Sequence, residues 1–435
     1  MKNNSGFTLI EILITMALVI VVLVITGSAF ESILKSSGRL LASEESNIEG
    51  VIGLEMFRHD LQQAGFGLPH AFVTAPKYGE AKTAPANLLN DGKGGATGDP
   101  SGNVPRAIAS LESLTGTSGN TYNVLSGTDY LAVKASTIAR NSASQKWTFL
   151  SFSASSDGKG RPPNKWSNSS DNFESADKVI VLNRSFTTGG QVTNTLVNGT
   201  VDPANYWASY PAGTDKMADT TFIPTKASDV YYLYGITGAS ELRMPFNRAD
   251  YFVARPQDIT KIPSTCAPLT GILYKAGIGH GSNTSGGVLD YMPLLDCVAD
   301  MQIVFGWDIN GNGTIDESSA YDTDATKITV SSSIGTTSGT IKTMMENPEE
   351  IRYKLKYIKV YIMAQEGRKD TNFSNSDTLV NNTLSVVVGD AGPTPASNVS
   401  VSKGYTSAQL TAKGWQNYRW KIYRIVVRPK NLISS

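Results

Sequence analysis

The chain opens with an apolar run. After Met1-Lys2-Asn3-Asn4-Ser5-Gly6, residues 7 to about 30 are hydrophobic with few interruptions, and Glu11 is the one carboxylate among them. A helix rises about 1.5 Å per residue, so the run matches the roughly 30 Å hydrocarbon core of a bilayer. Lys2, the only charge before it, favours keeping that end cytoplasmic. Helical periodicity continues beyond the run. Ile33, Leu34, Leu40, Leu41, Ile48, Ile52, Phe57, Leu61 and Ala64 recur at three, four and seven, with Lys35, Arg39, Glu44, Glu45, Glu49, Arg58 and Asp60 between them. This spacing predicts an amphipathic extension of the same helix, packed along one face on a globular head. Gly27, Gly38, Gly50 and Gly53 each weaken it by about 1 kcal/mol relative to Ala. The string Ala64-Gly65-Phe66-Gly67-Leu68-Pro69 supplies a stop.

The pattern then shortens. From about 70 to 260, brief apolar or aromatic runs alternate with Gly, Ser, Asn and Pro clusters. Strands are expected at Tyr130–Val133, Trp147–Phe152, Lys178–Leu182 and Val230–Tyr234. Long surface loops are expected at 90–103 and 157–170. Leu295–Gly306 alternates like a strand, and Ile351–Met363 and Tyr418–Arg428 read as two more. Gly277-Ile278-Gly279-His280-Gly281 lacks the spacing and the Lys-Ser/Thr ending of a phosphate loop, so it reads as a turn. The pattern as a whole predicts an α+β fold: a long N-terminal helix, half of it in the membrane, on an antiparallel sheet enlarged by a β-rich insertion.

Composition narrows the function. The 38 Lys and Arg balance the 38 Asp and Glu, so the chain lacks the basic field that nucleic-acid binding needs. Abundant Gly, Ser, Thr and Asn with modest charge fit a loop-rich extracytoplasmic protein. The two cysteines, Cys266 and Cys297, are too few for a disulfide scaffold. One bridge between them would close a loop of about thirty residues and stabilise the head by roughly 3–4 kcal/mol; two unrelated buried thiols are the alternative. His59, His70 and His280 are scattered, without metal spacing. No nucleophile, base or acid pair stands out, which points away from an enzyme. Trp147 and Trp166 suit either a surface or sugar contact or an ordinary strand core.

Glu11 decides how the first run is read. A secretory signal ending at Gly27-Ser28-Ala29 would gain nothing from a carboxylate whose insertion costs about 2.5–3.5 kcal/mol. Cleavage between Gly6 and Phe7 would instead leave a cationic amine on Phe7, four residues from Glu11, able to neutralise that carboxylate in its own chain or a neighbour. The string Gly6-Phe7-Thr8-Leu9-Ile10-Glu11-Ile12-Leu13-Ile14 resembles the processing signature of type IV prepilins and pseudopilins. The resemblance implies that prepilin peptidase cuts after Gly6, that Phe7 becomes N-methylated, and that Glu11 docks the subunit into a growing filament.

Three further strings resemble PilW-type minor pilins. They are Met56–Phe66 with its Asp60-Leu61 and Ala64-Gly65-Phe66, the Val298–Gly306 strand leading into an Asp/Asn/Gly loop, and the closing Tyr418–Asn431. In the last, Pro429-Lys430 interrupts the family's terminal Arg-Asn. The resemblance covers the start, the helix beyond the membrane and the last third, and leaves out the middle. It implies a pilin fold with a leader at 1–6, a transmembrane helix at 7–30 and an amphipathic extension at 31–66. A variable insertion would fill 67–265 and a C-terminal sheet region 266–435. It also implies a structural minor pilin that helps initiate assembly at or near the tip. The implied partners are other major and minor pilins, prepilin peptidase, the inner-membrane assembly platform and a tip adhesin. The head would be periplasmic before assembly and extracellular after it. A minor pseudopilin of a type II secretion system shares every N-terminal feature. A pilus-borne adhesin or carbohydrate-binding module would add an aromatic patch within 70–260.

One loop carries metal-like chemistry. Asp308, Asn310 and Asn312 fall at positions 1, 3 and 5 of a calcium loop, Gly313 at the turn, the Thr314 carbonyl at position 7 and Asp316 at position 9. Ser319 replaces the bidentate Glu at position 12, where Glu317, Asp322 or Asp324 would have to substitute. The expectation is weak Ca2+ binding in the millimolar range of extracellular modules, against an Asx-rich turn holding no ion.

Overall fold

The computed structural model describes residues 8–91, 103–111, 122–155, 157–186, 190–199, 205–213, 215–238, 241–281, 287–315, 317–319, 330–332, 337–375, 385–389 and 401–432. Helix α1 (Leu9–Gln63) takes up the apolar run and its extension without a break. The head then winds through β1 (Ala71–Phe72), β2 (Ile108–Leu111), β3 (Tyr122–Val124), β4 (Tyr130–Ala135), β5 (Trp147–Ser151) and β6 (Lys178–Phe186). It continues through β7 (Val192–Leu196), β8 (Ala208–Ser209), β9 (Val230–Thr237), β10 (Asn247–Pro256), β11 (Gly271–Ile278) and β12 (Leu289–Trp307). After β13 (Glu317–Ser319) and β14 (Val330–Ser332) come two short helices, α2 (Ser338–Glu346) and α3 (Pro348–Lys354). The chain closes with β15 (Leu355–Glu366), β16 (Val386–Gly389), β17 (Ser402–Tyr405), α4 (Ser407–Ala412) and β18 (Arg419–Val427).

Two sheets and a hairpin result. The large sheet runs β14-β13-β12-β11-β10-β4-β2, with β3 beside β10. The 19-residue β12 serves it twice: its first half pairs with β11, and its second half pairs with β15, which carries β18. All these pairings are antiparallel, so the long helix and antiparallel β head together make the expected α+β fold. The small sheet runs β1-β7-β6-β9-β5, with β8 on β6, and only β1–β7 is parallel. Residue 265 lies just before β11, in the middle of the large sheet, which takes strands from both sides of it.

The main core fills the space between the large sheet, the head end of α1 and the inner face of the small sheet. A second cluster, around Val179, Val181 and Leu233, lies on the other face of the small sheet. A third, around Trp415, Tyr405 and Met363, lies under the β16–β17 hairpin.

Two expectations need correction. The segment beginning at Ile351 is not strand throughout. Residues 348–354 are helical because Asn347 caps the Glu349 and Glu350 amides, Pro348 sits in the first turn, and two acids follow it; the strand starts at Leu355. Ile52, expected on the buried face of α1, is 65% exposed. Phe57, Leu61 and Ala64 are buried as expected, joined by Gly50, Gly53 and Leu54, and five helical residues of about 100° each turn Ile52 well away from Phe57.

Candidate assembly interface

The exposed end of α1 starts with a reciprocal cap. The Thr8 hydroxyl accepts the Glu11 amide at 3.4 Å, and Glu11 Oε2 accepts both the Thr8 amide and its hydroxyl at 2.9 Å. Such a capping box satisfies orphan amides and places a negative charge at the positive end of the helix dipole. Thr-x-x-Glu was legible in the sequence, but the reading of Glu11 as a docking acid left its capping role unseen. Gly6 and Phe7 lie outside the described residues. From Leu9 to Glu31 the helix has a mean hydropathy of 3.0, and no protein covers it. These 23 residues span about 35 Å, which fits a membrane or the sides of neighbouring helices.

The other end is seated on the large sheet. A Cβ on Gly50 would come 2.8 Å from Leu295, and one on Gly53 would collide with the Leu294 carbonyl, so both glycines permit close approach to β12. Phe57 stacks on Tyr251 with ring centroids 4.0 Å apart. Buried Asp60 pairs with Lys275 and accepts the Tyr251 hydroxyl, while Lys275 also donates to the Ile138 carbonyl at 3.1 Å. Burial, with the Asp60 carboxylate beside it, pushes the Tyr251 phenol well above its ordinary pKa and keeps it a donor. A buried acid left without such partners would cost several kcal/mol. The chain leaves the helix through Gly65, φ +83°, whose amide donates to the Lys134 carbonyl at 2.9 Å.

Lys134 belongs to a buried ion network that sequence reasoning missed. It pairs with Glu80 at 2.7 Å and with Asp91; Arg248 pairs with Glu80 at 2.9 Å and Asp250 at 2.7 Å; Arg106 reaches Asp91 at 2.5 Å. The three acids and three bases cancel. Burial disfavours the Asp91 carboxylate, yet Lys134 and Arg106 hold its pKa below the usual value. The available signal was Lys134, Arg248 and Asp250 standing inside otherwise apolar strands. Such a network adds little net stability over apolar packing, but losing one partner would strand a buried charge beside the 3₁₀ turn at 86–89, β4 and β10.

The disulfide joins Cys266 to Cys297, 5.0 Å apart at Cα, tying the segment before β11 to the middle of β12. In the 308–316 loop, Asp308 is buried and accepts amides from Gly311, Asn312 and Gly313 at 2.8–3.1 Å, with Lys356 at 3.6 Å. Asn310 and Asn312 accept the Asn312 and Thr314 amides. Asp316 lies outside the described residues, as do Asp322 and Asp324. Ser319 is buried in β13 and accepts the Trp307 indole N–H at 2.9 Å, so it is committed elsewhere. Asp308, Asn310, Asn312 and the Thr314 carbonyl could hold a cation, but they supply a single carboxylate. No group of three or more acidic, His or Cys ligands occurs among the described residues.

A family model described as the prokaryotic N-terminal methylation motif matches residues 1–27. That match and the uncovered apolar helix together support a type IV pilin-like or pseudopilin-like protein. Neither a curated protein nor a solved structure matches the chain. The motif implies processing by prepilin peptidase and assembly with other pilins, and it suggests a structural subunit and not an enzyme. It also fits membrane anchoring with a periplasmic head.

Proposed function

We propose that this pilin-like chain is a PilW-type minor pilin that helps initiate a type IV pilus and sits at or near its tip. The observation that carries the reading is the uncovered, Glu11-capped helix joined to a bulky two-sheet head. An apolar helix with one carboxylate at its cap is suited to leaving the bilayer for a helical bundle, where a neighbour's N-terminal amine meets Glu11. A head of this size would crowd its neighbours if repeated at every lattice position, which favours few copies per filament. Retention of Glu11 means that the subunit can still dock below another. On this reading the head is periplasmic before assembly and extracellular after it, handled by the inner-membrane platform and adjoining a tip adhesin.

The test is mass spectrometry of the mature N-terminus with and without prepilin peptidase, followed by deletion of the gene. N-methylated Phe7, lost without the peptidase, together with a loss of pili, supports the proposal. A mature start at Phe30 sinks it. Loss of protein secretion with intact pili would assign the chain to a type II secretion pseudopilus.

A further inference from the structure

The small sheet carries an aromatic group that the packing of α1 leaves untouched. Trp147 and Phe149 alternate onto one face of β5, Tyr232 pairs across from Phe149 on β9, and Arg184 extends the same face on β6. Trp166 folds over from the following loop, its ring 5.0 Å from Trp147 and 6.2 Å from Phe149. The loop is pinned: the Trp166 indole N–H donates to the Trp147 carbonyl at 2.8 Å, its amide donates to Asn172 at 2.7 Å, and Asn172 donates back at 2.9 Å. Trp147 nevertheless stays 39% exposed. Two indoles are thus held rigid at the surface, at little further entropic cost on binding.

Charge chooses between occupants. Strands β5, β6, β7 and β9 contain Lys178 and Arg184 and not one Asp or Glu. The Arg184 guanidinium lies 4.8 Å above the Tyr232 ring and uses only Nε, on Asn194 at 3.2 Å. Its terminal amines have no protein partner among the described residues and can form the bidentate pair that a carboxylate accepts. Asp171, on the Trp166 loop, is engaged by Asn168 and Ser170. Helix α1 leans on β12, β18 and β4; the main core covers Ile180 and Leu182 at the centre of this face, and Trp147 and Arg184 stay exposed beyond it.

We infer that Trp147, Trp166, Tyr232 and Arg184 form a binding site for an acidic polysaccharide. The aromatic faces stack on the apolar face of the sugar ring, and Arg184 pairs with its carboxylate. This site belongs to the head and does not depend on the minor-pilin reading. The test is native affinity electrophoresis of the detergent-solubilised full chain in gels containing polygalacturonate or dextran. Polygalacturonate should retard the protein and dextran should do so much less. Trp147→Ala and Arg184→Gln should each weaken retardation about tenfold or more, while Lys369→Gln on a distant exposed turn should leave it unchanged. Arg184 is exposed, so its variant keeps the test decisive if Trp147→Ala misfolds. Absent retardation, equal retardation by dextran, or retardation that Arg184→Gln does not weaken would overturn the proposal. Capture of another pilin by a photocrosslinker at position 147, without glycan retardation, would make the patch a protein interface instead.

Discussion

At the residue scale, Glu11 and Asp308 show how one carboxylate can be read twice. Both occur in motifs with a functional meaning, and in the structure both accept nearby backbone amides. For Glu11 the cap is compatible with the proposed docking role, because a capped carboxylate at the helix start is held where a neighbour's amine would find it. Glu11→Ala should leave membrane levels of the protein near normal and reduce its recovery in sheared filaments at least tenfold, as read by immunoblot. Asp308 is different, since three amides already satisfy it. Asp308→Ala should cost about 1–3 kcal/mol through orphaned amides, seen as a lower melting temperature in chelator. Millimolar Ca2+ should raise the melting temperature of the wild type and not that of the variant; an unchanged wild type would leave the loop a turn. The sequence placed Asp308, Asn310 and Asn312 correctly in one turn. It could not show that Ser319 is drawn into a strand by the Trp307 indole, because that partner is fixed by β12–β13 pairing.

At the scale of elements, the helix was legible because a bilayer-length apolar run has few alternative readings. The strands at Tyr130, Trp147, Lys178 and Val230 were legible for a related reason: compact β-branched and aromatic runs between turn residues. What stayed hidden came from tertiary contact. Asn347-Pro348-Glu349-Glu350 is a helix start that the apolar residues after it masked, and α2 shows helical spacing in only three residues, Ile341, Met344 and Met345, too short a run to stand out. By propensity Gly53 weakens α1, yet the Leu294 carbonyl occupies the space where its side chain would be. Gly53→Ala therefore tests two opposed terms. Helix propensity would gain about 1 kcal/mol, and the forced separation from β12 would cost about 1–3 kcal/mol. Since the collision is with backbone, destabilisation should win, and urea unfolding of the solubilised chain should show a lower midpoint.

For the whole molecule, two half-buried histidines contribute a pH response. Burial, aided by Arg352 and Arg184, lowers the His70 pKa to about 4, and burial with Arg243 does the same for His280. The Arg243 amide donates to His280 Nδ1, leaving Nε2 to donate to Asn247. Because the folded pKa lies below the unfolded value of about 6.5, the unfolded chain binds more protons between the two. Their contribution is complete above pH 6.5 and is lost as pH falls toward 4. Each should remove about 2 kcal/mol by pH 5. The urea midpoint should drop between pH 7 and 5, and His280→Gln should flatten that drop; an equal slope in the variant would place the effect elsewhere.

The bridge between Cys266 and Cys297 also has a mechanical meaning. Any tension between a filament and a ligand on the head enters through α1 and reaches β12 at Leu294 and Leu295, two or three residues from Cys297. With the bridge closed, the 31-residue separation cannot pay out as slack. Opening it would release roughly 100 Å of contour at about 3.4 Å per residue. In an optical trap holding α1 and the C-terminal end, the reduced protein should extend further by about that length in its unfolding steps. The oxidised head would behave as a short tether that yields late, which suits a subunit loaded from one end.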